Sequence, residues 1–110
     1  MADTRILEYI DLRGGNPFRK WFEGLNARAA AKVAAALYRL EQGNFSNVKG
    51  VGGGVYERCI DFGPGYRIYF GKDGESVVVL LGGGTKQRQQ EAIRLARLRW
   101  RDYQTRKSDH

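Results

Sequence analysis

The sequence predicts an α+β domain, on three observations. Apolar residues recur at helical spacing between Phe18 and Leu40, alternate at strand spacing between Val55 and Leu81, and return to helical spacing after Lys86. Helices set apart from strands along the chain point to helices packed on a mainly antiparallel sheet, not to the alternating order of a parallel one. At 110 residues the chain holds one domain, able to bury roughly 65% of its unfolded surface in a single core. The expected order is β-α-α-β-β-β-β-α over residues 1–103, followed by a polar, frayed tail over 104–110.

The elements follow in turn. RILEYIDL (5–12) carries Ile6, Tyr9, Ile10 and Leu12 and suits an opening strand, with RGGN as a turn. Asn16 and Pro17 predict a cap and first position for a helix whose stripe is Phe18, Trp21, Phe22 and Leu25. Asn26 caps a second, alanine-rich helix from about Ala27 to Gln42, with Ala30, Val33, Leu37 and Leu40 inward and Arg28, Lys32 and Arg39 outward. Gly43-Asn44 stops it. NVKGVGG (47–53) is a short strand or loop, and VYERCID (55–61) and YRIYF (66–70) alternate. Asp73-Gly74 predicts a tight hairpin. ESVVVLLG (75–82) is apolar on both faces and is expected to be the most buried strand. Gln87 to about Tyr103 is the last helix, with Ala92, Ile93, Ala96, Trp100 and Tyr103 inward and Arg94, Arg97 and Arg101 on another face.

Composition excludes several classes. The longest purely apolar run, Val77 to Leu81, is too short to cross a bilayer. MADTRILEYIDLR has acidic residues and no uninterrupted apolar block, so no secretory leader is expected. The one cysteine, Cys59, forbids an internal disulfide and suits a cytoplasmic protein. The one histidine is the terminal His110, which leaves no zinc set, no Ser-His-Asp arrangement and no expected metal or cofactor. Cys59 reads as a packing residue. The net charge of +7 favours polyanions as partners.

Two glycine clusters each deliver a cation. FGPGYRIYF (62–70) brings Arg67, and GGGTKQRQQ (82–90) brings Lys86. Neither is a nucleotide loop. Thr85 stands where the Walker pattern needs glycine, and Gln87 breaks the dinucleotide pattern. Gly82 to Gly84 are expected to lead into a helix start whose free amides favour an anion. Alternation puts Tyr66, Ile68 and Phe70 on the core face and Arg67 and Tyr69 on an open one. Lys49, and Arg58 with Tyr56 on the next strand, are expected to converge with them. Such a set suits a phosphodiester site without metal or histidine. RNA supplies its 2′-OH as nucleophile, Arg67 clamps the phosphate, and a lysine among cations serves as acid or base. Tyr66 or Tyr69 would stack on a base or relay a proton. From the residues alone, a generic basic surface is the simpler alternative.

FRKWFEGLN, LYRLEQGNFSNVKGVGGGVYERCIDFGPGYRIYF and VVVLLGGGTKQRQQEAI together resemble the addiction-module killer proteins. These are toxins of the RelE/ParE superfamily, near its HigB-type branch. The resemblance implies a RelE-like domain and a bacterial, cytoplasmic type II toxin that cleaves mRNA on the ribosome. It also implies neutralisation by a cognate antitoxin, through which operator DNA would be bound, and no membrane role. The family's GYR arginine falls on Arg67 and its following basic residue on Lys86. Two family lysines fall on YERC, where Glu57 takes one position and Arg58 approximates the other. The family's late tyrosine falls near Ala92, and Lys49 and Tyr69 are the substitutes. The expected catalytic set is therefore Arg67 and Lys86 from the resemblance, Arg58 as an approximate match, and Lys49 and Tyr69, which no motif match places there, with Tyr66, Arg88, Arg94, Arg97 and Arg101 as expected RNA contacts. The same superfamily includes ParE-like gyrase poisons, and a catalytically inactive basic module is the third reading.

Overall fold

A computed structural model describes residues 3–108, so Asp109 and His110, the last two residues of the expected tail, lie outside it. The elements are β1 (Arg5–Glu8), α1 (Pro17–Glu23), α2 (Ala27–Glu41), β2 (Val48–Gly50), β3 (Val55–Ile60), β4 (Tyr66–Lys72), β5 (Val77–Thr85), a 3-10 turn (Lys86–Arg88) and α3 (Gln89–Ser108). The mixed α+β class stands as expected. Both asparagine caps are in place: the Asn16 side chain accepts from the Arg19 amide and the Asn26 side chain from the Ala29 amide, each at 2.9 Å.

The five strands form one sheet in the order β1-β5-β4-β3-β2. β1 runs parallel to β5, and every other pair is antiparallel. The early helices cover one face with Phe18, Val33, Ala36 and Leu40 against Ile60, Tyr66, Ile68, Phe70, Val78 and Leu80. α3 covers the other, packing Ala96 and Trp100 on Tyr9, Val55, Tyr69, Val79 and Leu81. β5 alternates its side chains between the two cores, which is why it reads as apolar throughout. In α2 the fully buried positions are Ala29, Val33, Ala36 and Leu40, while the expected Leu37 is partly buried against the same core and Ala30 is half-buried.

Glycines in the strands serve as seats for tryptophans. A Cβ at Gly71 would lie 2.4 Å from the Trp100 ring, and one at Gly83 would lie 2.2 Å from the Trp21 ring. This corrects the reading of Gly82 to Gly84 as an anion-binding helix entrance. They remain in β5, paired with Tyr69, Ile68 and Arg67, and the helix begins beyond them. A bulge interrupts this ladder: Tyr69 faces Gly82 and Phe70 faces Leu80, which leaves Leu81 extra. Arg99 Nη1 reaches back from α3 and donates to the Leu81 carbonyl at 3.1 Å, which supplies that bulged residue with a partner.

Three other expectations change. Asp73-Gly74 belongs to a longer loop, residues 73–76, closed by the Asp73 amide donating to the Val77 carbonyl. The first strand ends at Glu8, and Ile10 and Leu12 are exposed beyond it. The last helix starts at Gln89 after the 3-10 turn and runs on to Ser108, so residues 104–108 are not a frayed tail. Side chains near its end hold it. Tyr103 Oη donates to Asp73 at 2.8 Å, Lys107 pairs with the same carboxylate, and Arg106 pairs with Asp102 at 2.8 Å.

The tryptophan seats give a direct test. Gly71→Ala drives a methyl into the Trp100 ring and is expected to cost about 1–3 kcal/mol. Gly50→Ala, whose added carbon meets nothing within 4 Å, is the control and should change denaturant midpoints little.

Candidate functional site

Strand pairing places a polar row on the sheet face beneath the start of α3. Lys49 of β2 stands opposite Glu57 of β3, and Glu57 opposite Tyr69 of β4. Glu57 is wholly buried, with 0% exposure. Its carboxylate accepts from Tyr69 Oη at 2.9 Å, from Gln89 Nε2 at 2.8 Å and from Cys59 Sγ at 3.4 Å. Lys49 Nζ lies 3.6 Å away and Arg67 Nε 3.8 Å. Burial alone would raise the Glu57 pKa. The hydrogen bonds from Tyr69, Gln89 and Cys59 and the Lys49 charge outweigh it, so the carboxyl titrates below its ordinary value. Burial, and then the hydrogen bond to Glu57, push the Tyr69 phenol well up. Burial likewise raises Cys59, which is no activated thiolate.

Arg67 and Lys86 meet at the edge of this row. A Cβ on Gly65 would lie 3.1 Å from Arg67 Nη1 and 3.4 Å from Lys86 Cβ, so both side chains flank one glycine. That glycine has φ +83°, a conformation suited to residues without a Cβ, and its carbonyl accepts from the Lys86 amide at 3.0 Å. The 3-10 turn thus docks onto the turn between β3 and β4. Beside Lys49 and Gln89 opens a cleft of about 600 Å³ whose lining includes Lys49, Val51, Gln89, Glu91, Arg94 and Arg97. Lys49, beside Glu57, faces this cleft with Arg94 and Arg97, while Arg67 and Lys86 stand outside it at the Gly65 turn.

Of the residues singled out in the sequence, Arg67 and Lys49 come together at Glu57, and Lys86 adjoins Arg67 at Gly65. The others are placed differently. Tyr69 is fully buried under α3, not on an open face, because α3 covers that side of the sheet. Arg58 lies on the opposite face, across from Val48 and Ile68, since neighbouring strand residues point to opposite sides. Tyr66 packs in the core against Trp21, with ring centroids 6.4 Å apart. Arg94 is held by Glu91 through two hydrogen bonds of 2.8 and 2.7 Å. Arg97 donates to the Val51 carbonyl and lies over Gly52 and Gly53, clamping the loop after β2 to α3. Arg88 lines a separate cleft with Trp21, Leu25 and Leu95. Arg101 is exposed, roughly 18 Å along α3 from Gln89. Glu57 and Gln89 were missed as site residues. The available signal was a lone carboxylate at an inward position of a strand, flanked by Val55 and Cys59.

Among the described residues no group of His, Cys, Asp or Glu could hold a metal ion. No protein-family model matches the chain. A Haemophilus influenzae protein, described as uncharacterized, is 43% identical over 90 residues, which span 81% of this chain and 91% of that one.

The Glu57 network predicts a pH signature. The folded carboxyl titrates below its ordinary value of 4.5, so its contribution to stability is complete above that pH and lost as the pH falls through the depressed folded value. Glu57→Gln should cost about 1–3 kcal/mol at neutral pH. Denaturant unfolding as a function of pH should show the gap from wild type closing as the pH falls below 4.5.

Proposed function

The chain belongs to the same family as that Haemophilus influenzae protein, and we propose that it is the toxin of a type II toxin–antitoxin system. In this reading the α+β domain is of the RelE/ParE type, cleaves mRNA on the ribosome and is neutralised by a cognate antitoxin. Contact with operator DNA runs through the antitoxin. The observation that carries the reading is the meeting of Arg67 and Lys86 at Gly65, next to Lys49 and the buried Glu57.

The chemistry asks for what these groups supply. The 2′-oxygen of the RNA attacks the adjacent phosphorus and loses its proton. Negative charge grows on the phosphorane oxygens, and the departing 5′-oxygen takes up a proton, leaving a 2′,3′-cyclic phosphate. Arg67 answers the growing charge with a fork that stays protonated. In this reading Lys86 and Lys49 move the protons. Glu57 orients Lys49 and Arg67, while Tyr69 and Gln89 hold Glu57. Tyr69 therefore supports the site as a hydrogen-bond donor and not as a base.

One observation favours a second reading. Glu57 partly answers the charges of Lys49 and Arg67, and the tyrosine of the row is committed to Glu57. That suits a protein that binds a polyanion or another protein without cleaving RNA, such as a gyrase poison. Among the described residues no helix is long and apolar enough to cross a membrane.

Purified protein added to a translation extract is expected to stop synthesis and to create new 5′ ends within codons. Arg67→Ala and Lys86→Ala should each slow cleavage by about 100-fold or more. Intact message with impaired gyrase supercoiling would establish the second reading instead.

A further inference from the structure

Arg58 is a charge for which the described chain offers no counter-charge. It stands between Val48 of β2 and Ile68 of β4, on the sheet face that α1 and α2 cover, and is 5% exposed. Its Nη1 donates to the Cys59 carbonyl at 2.5 Å, while Nε is buried with no partner. Among the described residues no carboxylate pairs with it. The charge that does bear on it is another cation, Arg39, on the exposed flank of α2. Burial first, and Arg39 second, push the Arg58 pKa down. A buried cation without an anion is costly, and an arriving carboxylate would remove that cost.

The surroundings select the kind of anion. Leu37, Phe45, Val48 and Tyr56 are partly buried against this core, and Tyr38 is 59% exposed beside Arg39. Base stacking needs a free ring face. Phe45 and Tyr56 do not offer one: both rings lie against Phe70, and Lys72 Nζ sits 4.1 and 5.0 Å from their centroids, which leaves only the exposed Tyr38 of the rings named here. A side-chain carboxylate on a slender stem can reach a guanidinium that is nearly covered, where a phosphodiester flanked by riboses is too bulky. The apolar rim suits the side chains next to that carboxylate in a peptide.

We propose that Arg58 and Arg39 form a docking point for a carboxylate of an acidic, partly apolar segment of a partner protein. It lies on the face of the sheet opposite Arg67 and Lys86. The inference is independent of RNA cleavage, because neighbouring residues of β3 put the two cation sets on opposite faces. It gives the net charge of +7 a protein-binding role alongside any nucleic-acid role. A partner held here would leave the cleft beside Gly65 open unless a second segment reached round to it.

The test uses the full chain and a labelled peptide of alternating Glu and Leu, read by fluorescence anisotropy. Wild type should bind it. Arg58→Met and Arg39→Glu should each weaken binding about tenfold or more, and Arg5→Ala, at the far edge of the sheet, less than about twofold. Arg39→Glu should also raise the melting temperature, because it gives Arg58 an internal counter-charge. That variant carries the test if Arg58→Met does not fold. Absence of wild-type binding, or unchanged binding and melting in Arg39→Glu, would overturn the proposal. So would displacement of the peptide by millimolar inorganic phosphate, which would mark a simple anion site. Displacement by a uridine oligonucleotide, lost in Arg58→Met, would overturn it in favour of nucleic acid.

Discussion

A carboxylate cut off from water must find its donors inside the protein, and Glu57 imposes that demand at the middle of the sheet. Its donors come from β4, from the first turn of α3 and from its own strand. Meeting them fixes how α3 sits over β3 and β4, and it aims Lys49 and Arg67 toward the same point. The polar row is therefore a folding constraint and a functional arrangement at once. Losing any donor would leave a buried charge short of partners, which costs more than the hydrogen bond itself contributes.

The second constraint is that the sheet is covered on both sides. With α1 and α2 on one face and α3 on the other, no open sheet face remains for a concave cation surface. Of the site's cations, the exposed Lys86 and Lys49 lie at the sheet's margin, where the β3–β4 turn meets the 3-10 turn and where β2 leaves room beside α3. α3 is tied down along its length, by Gln89 to Glu57, Arg97 to Val51, Arg99 to Leu81 and Tyr103 to Asp73. Two of these contacts use arginines, Arg97 and Arg99, of a helix rich in basic residues, and both satisfy backbone carbonyls.

The glycines tell a similar story. Gly71 and Gly83 look like flexibility or phosphate binding when counted along the chain. In three dimensions each marks the place where a tryptophan ring from a helix presses on the strand. Gly65 is the exception: its positive φ and its missing side chain let Arg67 and Lys86 approach one another. Arg58 shows the converse case, a residue that alternation alone puts on the side away from Arg67, where its charge goes unanswered.

The element order was legible because it rests on local signals. Asparagine caps, helical and strand periodicity and the doubly apolar β5 each report on neighbours a few residues away. Arg67 and Lys86 as a pair were legible too, since each follows a glycine-marked turn. The burial of Tyr69, the role of Glu57 and the isolation of Arg58 were not. The first two depend on which face α3 covers and the third on the face that α1 and α2 cover, and those are set by packing between residues a dozen or more positions apart. Sequence by itself determined the α+β class, the order of elements and the basic charge. Only the tertiary structure decided which charges meet, because covering both faces of the sheet converts a pattern along a strand into a choice between two separate environments.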